Sequence, residues 1–199
     1  MVKKMNNEIE IIKKCKEEIY RVFFKNFAFW WKEEDIQSYF YSVLLEKLPN
    51  AVKTVHREYP WVINNKPRKW SGLIDIVILE SCNEMDIFQC KIRHAIEIKY
   101  PRRYPTLYCP EYKESFKKAC LKDIDKLNEK NEKEAINASK NVRKHILFFR
   151  KVKKPCFTDI NTIEDIINIT GFDFSYGEVY PDGRHSKLIN NCDLQENIL

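Results

Sequence analysis

Glycine is scarce in this chain: four residues in 199, at positions 72, 171, 177 and 183. Loops of the G-x-x-x-x-G-K or G-x-G-x-x-G type need several glycines close together to cradle phosphates, so both are excluded. No HExxH segment occurs. The seven cysteines include no CxxC and no pair at zinc-finger spacing, and they do not cluster like the ligands of an iron–sulfur centre. Their odd number, with no apolar leader after Met1, predicts free thiols in a reducing compartment. No apolar run approaches the about 20 residues needed to cross a bilayer. These absences predict a soluble, cytoplasmic protein. The four histidines, His56, His94, His145 and His185, are scattered, and no metal role is assigned to them.

What is present is core material and charge. Apolar residues make up 44% of the chain, with 12 Phe, 10 Tyr and 4 Trp, which is a globular composition. The length suits a single domain over 1–199. Net charge is +6, concentrated around Lys91–Arg103 and Lys140–Lys154. Such clusters attract polyanions, and they also serve as ordinary solvated surface.

Apolar residues at spacings of three and four predict helices over 7–24 (Ile12, Cys15, Ile19, Phe23) and 33–48 (Ile36, Phe40, Leu44). Between them lies the aromatic segment Phe27–Trp31, readable as core or as a homodimer interface. Strands are predicted over 52–59, over 72–79, over 86–100 as one long strand or two short ones, over 145–150 and over 172–180. A polar loop is expected over 61–71, a long helix over 111–136, a short one over 161–169, and a turn at Pro181–Arg184. Helices between buried strands imply an α/β fold with a mixed sheet.

Hydrolysis of a phosphodiester calls for a cation on the phosphate oxygens and an activated water. Mg²⁺ takes hard oxygen ligands, few of them from the protein, and a lysine beside it stabilises the charge developing on the phosphate. Asp75 stands inside the strand Gly72-Leu-Ile-Asp-Ile-Val-Ile-Leu79, where a carboxylate is costly unless paired or ligating. Glu97 and Lys99 lie two apart in Ala95-Ile-Glu-Ile-Lys-Tyr100 and therefore share a strand face. If the two strands are hairpin neighbours, Asp75 faces that pair. An ordinary cross-strand ion pair is the alternative. A second Glu-x-Lys, Glu111-Tyr-Lys113, starts a predicted helix, where residues two apart diverge.

The segments around Asp75 and around Glu97 and Lys99 resemble the PD-(D/E)xK nuclease superfamily, over about residues 33–150. The resemblance implies a restriction-endonuclease-like αβββαβ core, with 1–32 an N-terminal helical extension and 151–199 C-terminal elements including a hairpin. It implies Mg²⁺ (or Mn²⁺) held by Asp75 and Glu97, with Lys99 serving hydrolysis, most readily of DNA. Many members add a glutamate from the first core helix. Glu33 is best placed for that role, with Glu34 and Asp35 as competitors, and an acidic first turn that favours the helix dipole as the alternative. Glu58 is a further ligand candidate or an exposed strand-end charge. The leading proline of the motif is replaced by Ile74. Arg102, Arg103, Lys69 and Tyr100 are candidates for DNA contact. The competing function is a catalytically inactive binding or scaffold module of the same fold.

Overall fold

The computed structural model describes residues 2–26, 32–62, 70–80, 90–100, 137–151, 172–180, 182–185 and 189–190, with positions 124, 127 and 135. Their elements are α1 (Val2–Lys25), α2 (Glu33–Lys47), α3 (Ala51–Thr54), β1 (Val55–Val62), β2 (Trp70–Leu79), β3 (Ile92–Lys99), β4 (Ala138–Lys151), β5 (Phe172–Val179) and β6 (Ile189–Asn190). The strands form one mixed α/β sheet in the order β1-β2-β3-β4-β5-β6. β1, β2 and β3 make an antiparallel meander. β3, β4 and β5 run parallel, and β6 returns antiparallel on β5. Parallel neighbours need crossover connections, and the helices expected over 111–136 and 161–169 fall in the two crossovers. Those spans lie outside the described residues except for Ile124, which is helical, Leu127, in a turn, and Ala135, in a β-bridge.

Several boundaries differ from the sequence pattern. Residues 52–54 are helical: Asn50, in the left-handed conformation at φ 59°, turns the chain into α3. β1 then runs through Pro60 to Val62, so Trp61, expected in a loop, is a fully buried strand residue. Proline is tolerated there because β1 is an edge strand, bonded only to β2. The expected pool of free thiols holds for Cys15, which is buried, and not for Cys90, which is disulfide-bonded. Among the described residues no helix is long and apolar enough to cross a membrane.

Two apolar layers flank the sheet. On one face α1 and α2 set Ile12, Ile19, Phe23, Ile36, Phe40 and Leu44 against Ile76, Ile96, Ile98, Leu147 and Phe149. On the other, Trp61, Val77, Ala95, Ile146, Phe148 and Tyr176 pack with Ile124 and Leu127. α1 thus supplies the same interior as α2. Its anchor is Tyr20, whose hydroxyl lies 2.9 Å from the Phe148 carbonyl and 2.8 Å from the Ser175 carbonyl. The Tyr20 ring stacks on Phe149 at 4.3 Å. Gly177 makes this approach possible, since a Cβ there would lie 2.7 Å from both the Tyr20 and Phe24 rings.

Gly177→Ala is therefore expected to destabilise the fold by about 1–3 kcal/mol, the cost of overpacking a rigid interior. Urea unfolding of the two proteins measures it, and an unchanged midpoint would contradict this close packing.

Candidate active site

β3 alternates between the two layers: Ile96 and Ile98 face α1 and α2, while Ala95 faces the opposite layer. Glu97 and Lys99 share the phase of Ala95. Glu97 is buried and Lys99 half-buried. Ile76 pairs with Ile96 as the last pair of the β2–β3 ladder, and Asp75 and Glu97 are the residues that directly follow that pair at its open end. On its other side Asp75 stands opposite Glu58, between the Arg57–Ile76 and Tyr59–Ile74 pairs. A single row across β1, β2 and β3 thus carries Glu58, Asp75 and Glu97.

The strands are irregular at this row. In β2, Ile76 and Ile74 are two apart yet pack in opposite layers. In β1, Val55 and Tyr59 have the same parity and also pack in opposite layers. The change of phase in β1 coincides with Glu58, which takes a left-handed φ of 50°, a conformation costing a non-glycine residue about 1 kcal/mol or more. In β2 it coincides with Asp75. The β2–β3 ladder ends at the Ile76–Ile96 pair. Beyond it the Ile98 amide donates to Asp75 Oδ2 at 2.7 Å, so a side chain replaces main chain as the acceptor.

α2 closes the site from the end of the meander. Its first turn holds Glu33, Glu34 and Asp35, and Asp35 Oδ2 accepts the Lys32 amide at 2.8 Å. Of the three, Glu33 reaches the sheet. Its Oε2 accepts the Tyr100 amide at 2.8 Å, and its Oε1 lies 3.8 Å from Lys99 Nζ. Glu34 and Asp35 are exposed. One turn further, buried Gln37 donates through Nε2 to Glu58 Oε1 (2.9 Å) and to the Asp75 carbonyl (3.1 Å). Arg57 donates to Gln37 Oε1 at 2.6 Å, which fixes the orientation of that amide. The sequence pattern puts Gln37 on the helical face of Glu33, four residues on, and Arg57 beside Glu58, but assigns neither a place in the site.

Tyr100 does not present its ring outward as expected for a DNA contact. It is buried and meets Phe23 edge-on at 5.9 Å, because the strand's alternation turns it toward α1. Arg102, Arg103 and Lys69 lie outside the described residues. The same end of the parallel strands holds a second polar group that sequence reasoning missed. Arg150 donates to Glu178 at 3.1 Å, and the hydroxyls of Tyr176 and Tyr180 also donate to Glu178. Burial, then the neighbouring Glu178 carboxylate, pushes the Tyr180 hydroxyl up to about 12.

The donors of Glu33, Glu58, Asp75 and Glu97 are all hard oxygens, the type that suits Mg²⁺ or Mn²⁺. Among the described residues no three histidine, cysteine or acidic side chains converge as a preformed metal cage. The row fits such an ion by donor chemistry rather than by closed geometry. Comparison with family models finds no match, and comparison with curated proteins and with solved structures finds no significant similarity.

Asp75→Ala is expected to lower stability by about 1–3 kcal/mol, because it leaves the Ile98 amide without its acceptor. Asp75→Asn, which keeps an acceptor oxygen, should lose less. Chemical denaturation of both variants checks this, and equal losses would show that the Asp75–Ile98 bond is not what stabilises the end of β3.

Proposed function

We propose that the chain is a metal-dependent nuclease, hydrolysing phosphodiester bonds, with DNA the preferred substrate. The order α2, three-stranded meander, crossover and parallel β4 is consistent with the αβββαβ core of the restriction-endonuclease-like fold. The observation that carries the reading is the row Glu58–Asp75–Glu97, with Lys99 beside it and Glu33 at the end of β3.

On this reading Asp75 and Glu97 hold Mg²⁺ or Mn²⁺, and Glu33 and Glu58 are the further ligands. A bound ion of this kind polarises the phosphate and lowers the pKa of a water. The Ile98 amide keeps the Asp75 carboxylate at the open end of the β2–β3 ladder. Lys99, 3.8 Å from Glu33, offers its ammonium to the negative charge that builds on the phosphate. Arg102, Arg103 and Lys69 are proposed to meet backbone phosphates, which position a duplex without reading its sequence. Two copies acting together would cut both strands.

A second reading, a non-catalytic binding module of the same fold, draws on the same contacts. Asp75 and Glu33 both hold main-chain amides, a role that needs no turnover.

Cleavage of supercoiled, linear, single-stranded and branched DNA, with Mg²⁺, Mn²⁺ or EDTA, separates the two. Asp75→Asn and Lys99→Ala are expected to lower a metal-dependent rate by roughly 10²-fold or more. DNA binding without cutting on any substrate would favour the module. Absence of cutting, DNA binding and calorimetric metal binding would remove both readings.

A further inference from the structure

Away from the proposed nuclease site, along the Glu8–Lys16 stretch of α1, five ionisable side chains from four elements form a partly buried chain. Lys16 of α1 lies 2.8 Å from Asp173 of β5. Asp173 Oδ2 lies 2.9 Å from His145 Nδ1, and His145 Nε2 lies 2.9 Å from His94 Nδ1. His94 Nε2 faces Glu8 Oε1, back on α1, at 3.4 Å. The imidazoles are 1% and 3% exposed. The two ends of the chain stand on one helix and its middle on the sheet, so the chain spans the contact that holds α1 down.

Counting protons gives the chain a direction. An ionised carboxylate only accepts, so His145 must carry its proton on Nδ1 toward Asp173. A neutral imidazole has one N–H, which leaves His145 Nε2 bare to accept from His94 Nδ1–H. His94 Nε2 is then bare as well, and it meets the Glu8 carboxylate acceptor to acceptor. Two independent observations agree with this order. The Glu8–His94 gap is the longest of the three between Glu8 and Asp173, and Glu8 Oε1 is buried with no hydrogen-bond partner among the described residues. Three gaps therefore hold two protons.

We propose that Glu8, His94, His145, Asp173 and Lys16 form a proton-operated latch, which fastens α1 to the sheet while both imidazoles are neutral and releases the anchored stretch of the helix when the pair is charged. A first added proton fits the Glu8–His94 gap. A second proton on an imidazole can enter only between the rings, on His145 Nε2, setting N–H against N–H across 2.9 Å, and the pair must part. The surroundings oppose that charge. α1 contributes Lys16 and Glu8, β3 contributes Arg93, β4 contributes Arg143 and β5 contributes Asp173, three cations against two carboxylates.

Burial is the first cause that lowers both imidazoles, His145 to about 3, with the Lys16 charge next for His145; for His94 the Glu8 carboxylate opposes the fall. Burial alone would raise Glu8, yet the Arg93 guanidinium beside it helps to hold it below its usual value. An unfolded histidine takes up its proton near pH 6.5. Stability owed to the neutral His145 is thus complete above that pH and declines as pH falls from 6.5 toward 3, by up to about tenfold in the folding equilibrium per pH unit.

Two measurements on the native chain test the latch. Ring-nitrogen NMR at pH 7 is expected to show both His94 and His145 as Nδ1–H tautomers; an Nε2–H signal from either ring would overturn the proton order. Amide exchange between pH 7 and pH 3.5, corrected for intrinsic rates, is expected to lose at least tenfold more protection over residues 8–20 than over β2 and β3. Equal loss across these elements, or none, would overturn the latch. His94→Gln with His145→Gln should abolish the pH dependence of α1 protection; its persistence would also overturn the proposal. If that variant fails to fold, the native measurements decide.

Discussion

The bond between the Asp75 carboxylate and the Ile98 amide is where the sheet stops being regular. Up to the Ile76–Ile96 pair, β2 and β3 exchange main-chain bonds as antiparallel neighbours do. From Asp75 onward a charged side chain takes over the role of the neighbouring strand. That substitution ends the ladder while keeping the Ile98 amide satisfied, as a buried amide must be. It also frees the end of β3 to meet α2, whose Glu33 accepts the next available amide, that of Tyr100. The meeting of Glu33 with Lys99 at the end of β3 follows from ending one ladder with a carboxylate.

β3 carries polar groups of different character on its two faces. Toward its end, Glu97 and Lys99 share the face of Ala95. Near its start, His94 lies in the opposite phase, beneath α1. Period-two alternation lets one short strand serve both without direct contact between them. Phe23 links the regions mechanically, since the helix that covers the histidines also packs against Tyr100.

Much of the scaffold is legible in the sequence because it rests on local periodicity. The stripes of α1 and α2 and the β-branched run of β2 are patterns of neighbours; α2, β2 and β5 fall within a few residues of their expected bounds, α1 starts earlier, and β3 occupies the later part of its expected span. β4 starts seven residues before its predicted span, where Asn137–Arg143 carry no apolar run to announce a strand. The hairpin relation of Asp75 to Glu97 is likewise readable, from two apolar strands joined by a short polar stretch. The left-handed Glu58 is not readable, because nothing in Arg57-Glu58-Tyr59 demands a positive φ. Gln37 gains its meaning only from Arg57 and Glu58, some twenty residues away. His94 and His145 look scattered at a separation of 51 residues and become neighbours only through parallel pairing of β3 with β4. Contacts created by topology leave no local trace.

The seating of Tyr20 against Ser175 has a temporal side. These residues are 155 positions apart, so α1 emerges from the ribosome long before the strand that receives it. At a synthesis rate of about 5–20 residues per second, the delay is on the order of ten to thirty seconds. Throughout that interval Ile12, Ile19 and Phe23 have no finished sheet to cover them. The complete seat of this helix exists only after β5 has been made, whereas its contacts with α2 become available much earlier.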